Sequence, residues 1–127
     1  MCYLFNLLIN VSIYTCIFVY RCCSLVGRVG GKQALSLNDY CATEGVAIHE
    51  LGHVIGFWHE HTRPDRDSFI KILWNNIRQD RYDNFVKRQY IEIESFGRPY
   101  DFSSIMHYSP VSFLTTSYTI LCHSFLY

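Results

Sequence analysis

The sequence predicts a small α+β domain in which short strands precede one helix and a turn-rich second half follows it. Two observations indicate this mixed class. Short apolar segments on either side of a Gly-Gly-Lys turn occupy residues 24–37, a pattern typical of paired strands. Residues 44–55 then combine a start signal with helical apolar spacing, which is typical of one helix. At 127 residues, the chain has room for one small domain.

The two strand segments are residues 24–28 and residues 33–37, and Gly30 and Gly31 lie in the turn that joins them. Glycine supports the backbone conformations that tight turns require. We therefore expect these two strands to be neighbours in a small sheet that precedes the helix.

The helix is expected to begin after Thr43, whose hydroxyl can accept a hydrogen bond from the first turn, and Glu44 then favours the helix dipole. It is expected to end near Ile55. Four apolar residues would pack beneath the sheet, on the side away from the histidines; they are Ala47, Leu51, Val54 and Ile55.

The pattern H-E-x-x-H-x-x-G-x-x-H begins within this helix at His49 and ends beyond it at His59. His49 and His53 are four residues apart, so they project from one helical face and can take two corners of a zinc tetrahedron. Glu50 lies about 100° further around the helix and can reach a zinc-bound water without being a ligand. Gly56 can leave the helix with positive φ, which brings back His59 as third ligand. The open fourth position predicts a catalytic zinc.

The second half of the chain is less regular. Residues 69–77 are expected to be a short extended or helical segment, and residues 80–88 to be a helix. Residues 92–101 contain Gly97 and Pro99 and are expected to form a loop. The apolar side of the 80–88 helix would consist of Tyr82, Phe85 and Val86.

A second motif, Ser-Ile-Met-His-Tyr, follows at residues 104–108. A tight turn with a methionine beneath the three histidines marks metzincin peptidases, and Met106 is in that position. His61 and His107 are adjacent to motif residues but break the ligand spacing, so we expect both to be structural.

On these motifs the chain resembles the astacin family of zinc endopeptidases. The resemblance is strongest in residues 49–67, whose sequence is most similar to that of the tolloid (procollagen C-proteinase) branch. The resemblance runs over about residues 21–113. It implies a metzincin (zincin-like) catalytic domain, with a small mixed sheet packed on the active-site helix and an irregular C-terminal subdomain. It also implies that the chain is truncated, because the family domain is a good deal longer.

The resemblance implies roles for individual residues. One zinc ion per chain would be bound by His49, His53 and His59, with Glu50 as the catalytic base. Tyr108 would be an additional zinc ligand that swings away to stabilise the transition state. The strand over residues 24–28 would form the upper rim of the cleft, where a free edge can bind an extended peptide. Glu60 matches the family residue that fixes the amino terminus of the processed enzyme.

Six cysteines suggest disulfide bonds and a secreted protein. The resemblance favours Cys41 paired with Cys22 or Cys23, and a vicinal Cys22–Cys23 bond is the alternative. The other three are expected to be free, buried thiols; they are Cys2, Cys16 and Cys122. Residues 63–67 carry dense charge, either as a solvated loop or, as the resemblance implies, as a structural network.

Every Asp, Glu, Lys and Arg lies in residues 21–101, so both chain ends are apolar. We divide the chain into an apolar N-terminal segment (1–20), a partial astacin-like peptidase domain (21–113) and an apolar tail (114–127). Residues 1–20 are a signal peptide, a transmembrane helix, or a buried strand or non-native segment. We expect both ends to pack poorly and the chain to have weak or no activity.

The predicted function is that of a secreted, extracellular zinc-dependent endopeptidase that hydrolyses internal peptide bonds of extended protein or peptide substrates. The formal net charge of zero gives no indication of nucleic-acid binding, and a membrane is expected as partner only if residues 1–20 are an anchor. Two alternatives are an inactive zinc-binding remnant and an interaction module. Glu50 argues against the module, which needs no base beside the zinc.

Overall fold

The structure is a computed structural model that describes residues 22–113 and 118–122 and the backbone of residues 11–14. The chain divides into two compact units, Met1–Phe57 and Trp58–Tyr127. Among the described residues, the first unit contains one α-helix and three strands, and the second contains two strands and several short 3₁₀ helices. The α+β class is therefore confirmed.

The sheet of the first unit has the strand order β1-β3-β2. Strand β1 (Val11–Tyr14) is parallel to β3 (Gln33–Ser36), whereas β2 (Cys23–Ser24) is antiparallel to β3. The sheet is thus mixed, as the resemblance implied. In β3, Leu35 is buried while its neighbour Ala34 is exposed, which is the alternation of a strand with one covered face.

The strand expected over residues 24–28 is only Cys23–Ser24, so that prediction was wrong beyond Ser24. Gly27 has a φ of +76°, which turns the chain out of the extended conformation. The buried side chain of Gln33 holds the resulting loop. Its Nε2 donates to the carbonyls of Leu25 and Gly27 at 3.2 and 2.9 Å, and its Oε1 accepts from the Val29 amide at 3.2 Å.

Helix α1 (Glu44–Val54) follows the sheet, and the Thr43 side chain accepts a hydrogen bond from the Val46 amide. The predicted N-cap and helix are therefore confirmed. The predicted packing face was wrong at two positions, because Leu51 is 46% and Ile55 is 59% exposed. The helix instead buries the stripe that contains Glu50, His53 and Val54. Leu51 and Ile55 lie roughly 100° and 140° around the axis from Glu50 and miss this stripe.

The second unit has a two-stranded antiparallel sheet of β4 (Ile70–Ile72) and β5 (Ile120–Cys122), in which Ile72 pairs with Ile120. Its core is apolar and comprises Ile70, Ile72, Ile77, Phe85, Tyr100 and Ile120. The short 3₁₀ helices are Glu60–Thr62, Arg66–Ser68, Trp74–Asn76 and Gln79–Phe85. Residues 92–101 contain no helix or strand, as predicted.

The segment predicted as a helix over residues 80–88 is the 3₁₀ helix Gln79–Phe85. With three residues per turn, Tyr82 and Phe85 lie on one side of it. Phe85 is fully buried and Tyr82 packs against the same core, whereas Val86 is 53% exposed. The expected burial of Val86 was therefore wrong, because the chain leaves the helix before it.

Both chain ends contribute strands. Residues 11–14 pair with β3, which agrees with the alternative that placed a strand in the N-terminal run. Ile120 is 1% exposed in the core of the second unit. The expectation that the ends pack poorly was thus wrong for Val11–Tyr14, whose backbone is paired with β3. It was also wrong for Ile120–Cys122, which supply the hydrogen-bond partners that the backbone groups of β4 need. No helix in the described part of the chain is long and apolar enough to cross a membrane.

Cys22 and Cys41 form a disulfide, which selects one of the pairings that the resemblance allowed. Cys23 is an exposed free thiol and Cys122 is a partly buried one. Cys2 and Cys16 lie outside the described residues.

Residues 63–67 form the structural network rather than a solvated loop. The buried Arg63 pairs with Asp65 at 2.8 Å and with Glu60 at 2.9 Å, and it also donates to the carbonyls of residues 98 and 99. The buried Arg66 donates to the carbonyls of His61 and Phe85 at 2.8 and 2.7 Å. These bonds tie together segments that are far apart in sequence.

Candidate metal centre and active site

His49 and His53 project from consecutive turns of α1, with ring centroids 4.7 Å apart. The Nδ1 of His53 lies 2.8 Å from the carbonyl oxygen of Phe57. Because a carbonyl can only accept, Nδ1 carries the proton and the lone pair is on Nε2. The pKa of His53 is lowered, chiefly by burial and also by His49, against the opposing influence of the Phe57 carbonyl and Glu50. A neutral imidazole is the form that binds a metal.

The helix ends in the way that the motif requires. Gly56 has a φ of +112°, its amide donates to the His53 carbonyl at 2.9 Å, and the Phe57 amide donates to the Gly52 carbonyl at 3.0 Å. These two bonds define a Schellman C-cap with glycine in the left-handed position. The space around Gly56 is open, so its φ, and not a close contact, favours glycine. The predicted exit from the helix is confirmed.

Glu50 is 6% exposed. The Ser24 hydroxyl lies 2.7 Å from Oε2 of its carboxylate and 2.9 Å from its backbone carbonyl oxygen. Sequence reasoning did not identify Ser24 as a functional residue. The two positions are separated by 26 in the sequence, so no local pattern indicates the contact.

In the second unit, His59 precedes the 3₁₀ helix Glu60–Thr62, and both the amide and the hydroxyl of Thr62 donate to its carbonyl, at 3.0 and 2.7 Å. The rings of His59 and Tyr108 have centroids 4.4 Å apart. The fully buried His61 stacks on Tyr108 at 4.1 Å, and its Nε2 donates to the Asn84 carbonyl at 2.9 Å. His61 thus has the structural place that was predicted for it.

Residues 104–107 form a tight turn, in which the His107 amide donates to the Ser104 carbonyl at 2.9 Å. Met106 is buried, and its carbonyl accepts from the Glu60 amide at 3.0 Å. The methionine turn expected from the second motif is therefore present in this unit and is bonded to the residue after His59.

One ring nitrogen from each of His49, His53 and His59 lies within 4.8 Å of the other two. Tetrahedral zinc with bonds of about 2.0–2.1 Å needs nitrogen separations of about 3.4 Å. The limit of 4.8 Å is somewhat wider than this separation. Three imidazoles are a donor set that zinc prefers, so the histidine group fits a zinc ion.

Comparison with known proteins finds relatives of this chain. The family model described as Astacin, a peptidase family, matches residues 10–125. Bone morphogenetic protein 1 of Xenopus laevis is 54% identical over 101 residues, which cover 76% of this chain and 14% of that protein. The zinc metalloproteinase nas-39 of Caenorhabditis elegans is 54% identical over 93 residues, which cover 72% of this chain and 10% of that protein.

A solved structure has the same fold. High choriolytic enzyme 1, a hatching enzyme zinc-protease from the medaka Oryzias latipes, superimposes with a TM-score of 0.81 at 39% identity. The match covers 89% of this chain and 55% of the medaka chain. The chain therefore spans little more than half of that structure and a much smaller part of the two sequence relatives.

Proposed function

This chain belongs to the astacin family of peptidases, and on that basis we propose that it is a zinc-dependent endopeptidase acting on internal bonds of extended protein or peptide substrates. The observation that carries the proposal is the convergence of His49, His53 and His59 within 4.8 Å. The buried carboxylate of Glu50 is on the helix that carries His49 and His53. A structural zinc site would need no such carboxylate.

We assign the zinc to the three histidines. When bound, zinc supplies a Lewis acid that lowers the pKa of a coordinated water to about 7 and polarises the substrate carbonyl. The Phe57 carbonyl accepts a hydrogen bond from Nδ1 of His53, so the lone pair that can bind the zinc is on Nε2.

Glu50 would take a proton from the attacking water and transfer it to the leaving amine. Such general acid–base catalysis contributes typically about 10²–10⁴-fold. Tyr108 would donate its hydroxyl hydrogen to the oxyanion of the transition state. Its packing against both His59 and His61 supports this assignment, because these contacts place the phenol ring beside a histidine assigned to the zinc.

For the substrate we propose an extended peptide that aligns with β2. This strand is at the edge of its sheet, and such an edge offers unpaired backbone groups for strand addition. An extracellular location is supported by the Cys22–Cys41 disulfide, since such bonds persist in oxidising compartments.

The test is to refold the 127-residue chain with zinc, measure zinc by metal analysis, and follow cleavage of internally quenched peptides with mass-spectrometric mapping of the new termini. We expect one zinc per chain and weak but measurable cleavage within the peptides. Glu50→Ala is the control, and it should keep zinc but lose cleavage by about 10²-fold or more. Bound zinc without cleavage by the parent chain would identify an inactive remnant and contradict the proposal.

A further inference from the structure

The Glu50 carboxylate is held by a residue outside its helix. Ser24 on β2 places its hydroxyl 2.7 Å from Oε2 of Glu50 and 2.9 Å from the Glu50 carbonyl oxygen. A serine hydroxyl has one hydrogen, so it makes one of these two bonds fully at a time. The shorter contact is to the charged acceptor, and hydrogen bonds to carboxylates are roughly twice as strong as neutral ones.

Ser24 is itself held firmly in place. It pairs with the buried Leu35 across the sheet. The loop that follows is held by Gln33, which is 3% exposed and donates to the carbonyls of Leu25 and Gly27. The Gly27 amide in turn donates to the His53 carbonyl at 2.8 Å. The hydroxyl is thus presented to Glu50 by a sheet and a loop that are both bonded within this unit.

We propose that Ser24 is a positioning residue for the reaction. Its hydroxyl binds one oxygen of the Glu50 carboxylate and thereby directs the other oxygen toward the proton of the attacking water. This role rests on the proposed function. A glutamate side chain has several rotatable bonds, and holding it in one rotamer removes an entropic cost from each turnover. A small displacement of a catalytic group can lower the rate by orders of magnitude. Ser24 acts through Glu50 and need not touch the substrate.

The kinetic test compares the zinc-loaded parent with Ser24→Ala and Ser24→Thr. We expect Ser24→Ala to lower kcat about tenfold with KM within about twofold, because orientation and not substrate binding is lost. Ser24→Thr keeps the hydroxyl and should restore kcat to within about threefold of the parent. Zinc content is measured for each variant and should stay at one per chain.

Thr43→Ala is the matched control. It also removes a hydroxyl that bonds to α1, at the Val46 amide, but it has no contact with the base. It should destabilise the helix and leave kcat unchanged. An equal loss of kcat in Thr43→Ala and Ser24→Ala would show that Ser24 only stabilises the fold, and this would overturn the positioning role.

A measurement without catalysis tests the contact itself. Ser24→Ala, Glu50→Ala and the double variant form a cycle in denaturant unfolding, and we expect a coupling of about fivefold or more in the unfolding equilibrium constant. Additive effects would show that the hydroxyl and the carboxylate do not interact. If Ser24→Ala fails to fold, the comparison is made between Ser24→Thr and Ser24→Val. These two side chains differ only in that threonine has a hydroxyl where valine has a methyl group. Folding by the threonine variant alone would also overturn the proposal.

The outcomes separate the two proposals. A parent chain that binds zinc but cleaves no peptide overturns the proposed function. An active parent whose Ser24→Ala variant has the same kcat, or an unfolding cycle without coupling, overturns the positioning role alone.

Discussion

The Tyr100 hydroxyl and the Nε2 of His107 are 2.7 Å apart, and the Nδ1 of His107 is 2.7 Å from the Tyr108 carbonyl oxygen. The carbonyl can only accept, so Nδ1 carries the proton and Nε2 accepts from Tyr100. Burial raises the pKa of Tyr100, with a further contribution from Glu60, so the hydroxyl remains a donor. A core tyrosine is thus linked through His107 to the backbone of Tyr108.

Tyr100→Phe should therefore lower the free energy of unfolding. It leaves the Nε2 of the partly buried His107 without its donor, which costs at most about 1–3 kcal/mol. Denaturant unfolding of the zinc-loaded protein measures the loss. Tyr40→Phe is the control, because Tyr40 is 90% exposed and its change should be close to zero. Equal stability of Tyr100→Phe and the parent would mean that the hydrogen bond is not formed in solution.

Tyr108→Phe should lower kcat by on the order of 10²-fold with little change in KM, because the hydroxyl is expected to act on charge that develops in the transition state. The phenyl ring can keep its packing against His61, so folding should be preserved. Steady-state kinetics on a quenched peptide decide the matter. Tyr118→Phe makes the same chemical change at an exposed site and should leave kcat as it is. A higher KM alone would indicate a role in substrate binding.

Replacing both Cys22 and Cys41 by alanine should cost about 3 kcal/mol of unfolding free energy, because their disulfide closes a loop with a sequence separation of 19. Cys23→Ala should have little effect, since Cys23 is an exposed free thiol. Thermal or denaturant unfolding of the two variants compares them directly. A large loss for Cys23→Ala would show that Cys23 is the true partner of Cys41.

Asp65 should make the stability depend on pH under acid conditions. Its pKa is lowered from the ordinary value of 3.8, chiefly by the hydrogen bond from Arg63. A lowered folded pKa means that the stabilising contribution is complete above pH 3.8 and declines as the pH falls from there through the folded value.

Asp65→Asn should thus flatten the fall of unfolding free energy below pH 4, and added salt should weaken the effect because Asp65 is partly exposed. Unfolding curves at several pH values test this, with the exposed Asp39→Asn as control. An unchanged acid profile in Asp65→Asn would show that the ion pair with Arg63 contributes nothing measurable.

The local sequence was sufficient to predict the helix and its ends. Thr43 at the N-cap and Gly56 after the C-cap act within a few residues, so their structural effect can be read from the chain. The same is true of the spacing of His49 and His53, because helical geometry alone places them on one face. The methionine turn at residues 104–107 was predicted from the metzincin motif, and the hydrogen bond that closes it spans only three residues.

The tertiary structure decided what depends on residues distant in the chain. Only the folded structure shows that the Ser24 hydroxyl contacts the Glu50 carboxylate. Only there is it seen that Gln33 holds a hydrogen-bonded loop where a longer strand was expected. The packing of Ile120 with Ile70 in one core is also seen only in the folded structure. It also decided which side of α1 is buried, and so left Leu51 exposed against the prediction. Side-chain contacts over such separations depend on how sheet, loop and helix pack. A sequence pattern specifies the period of each element, but not which neighbour covers it.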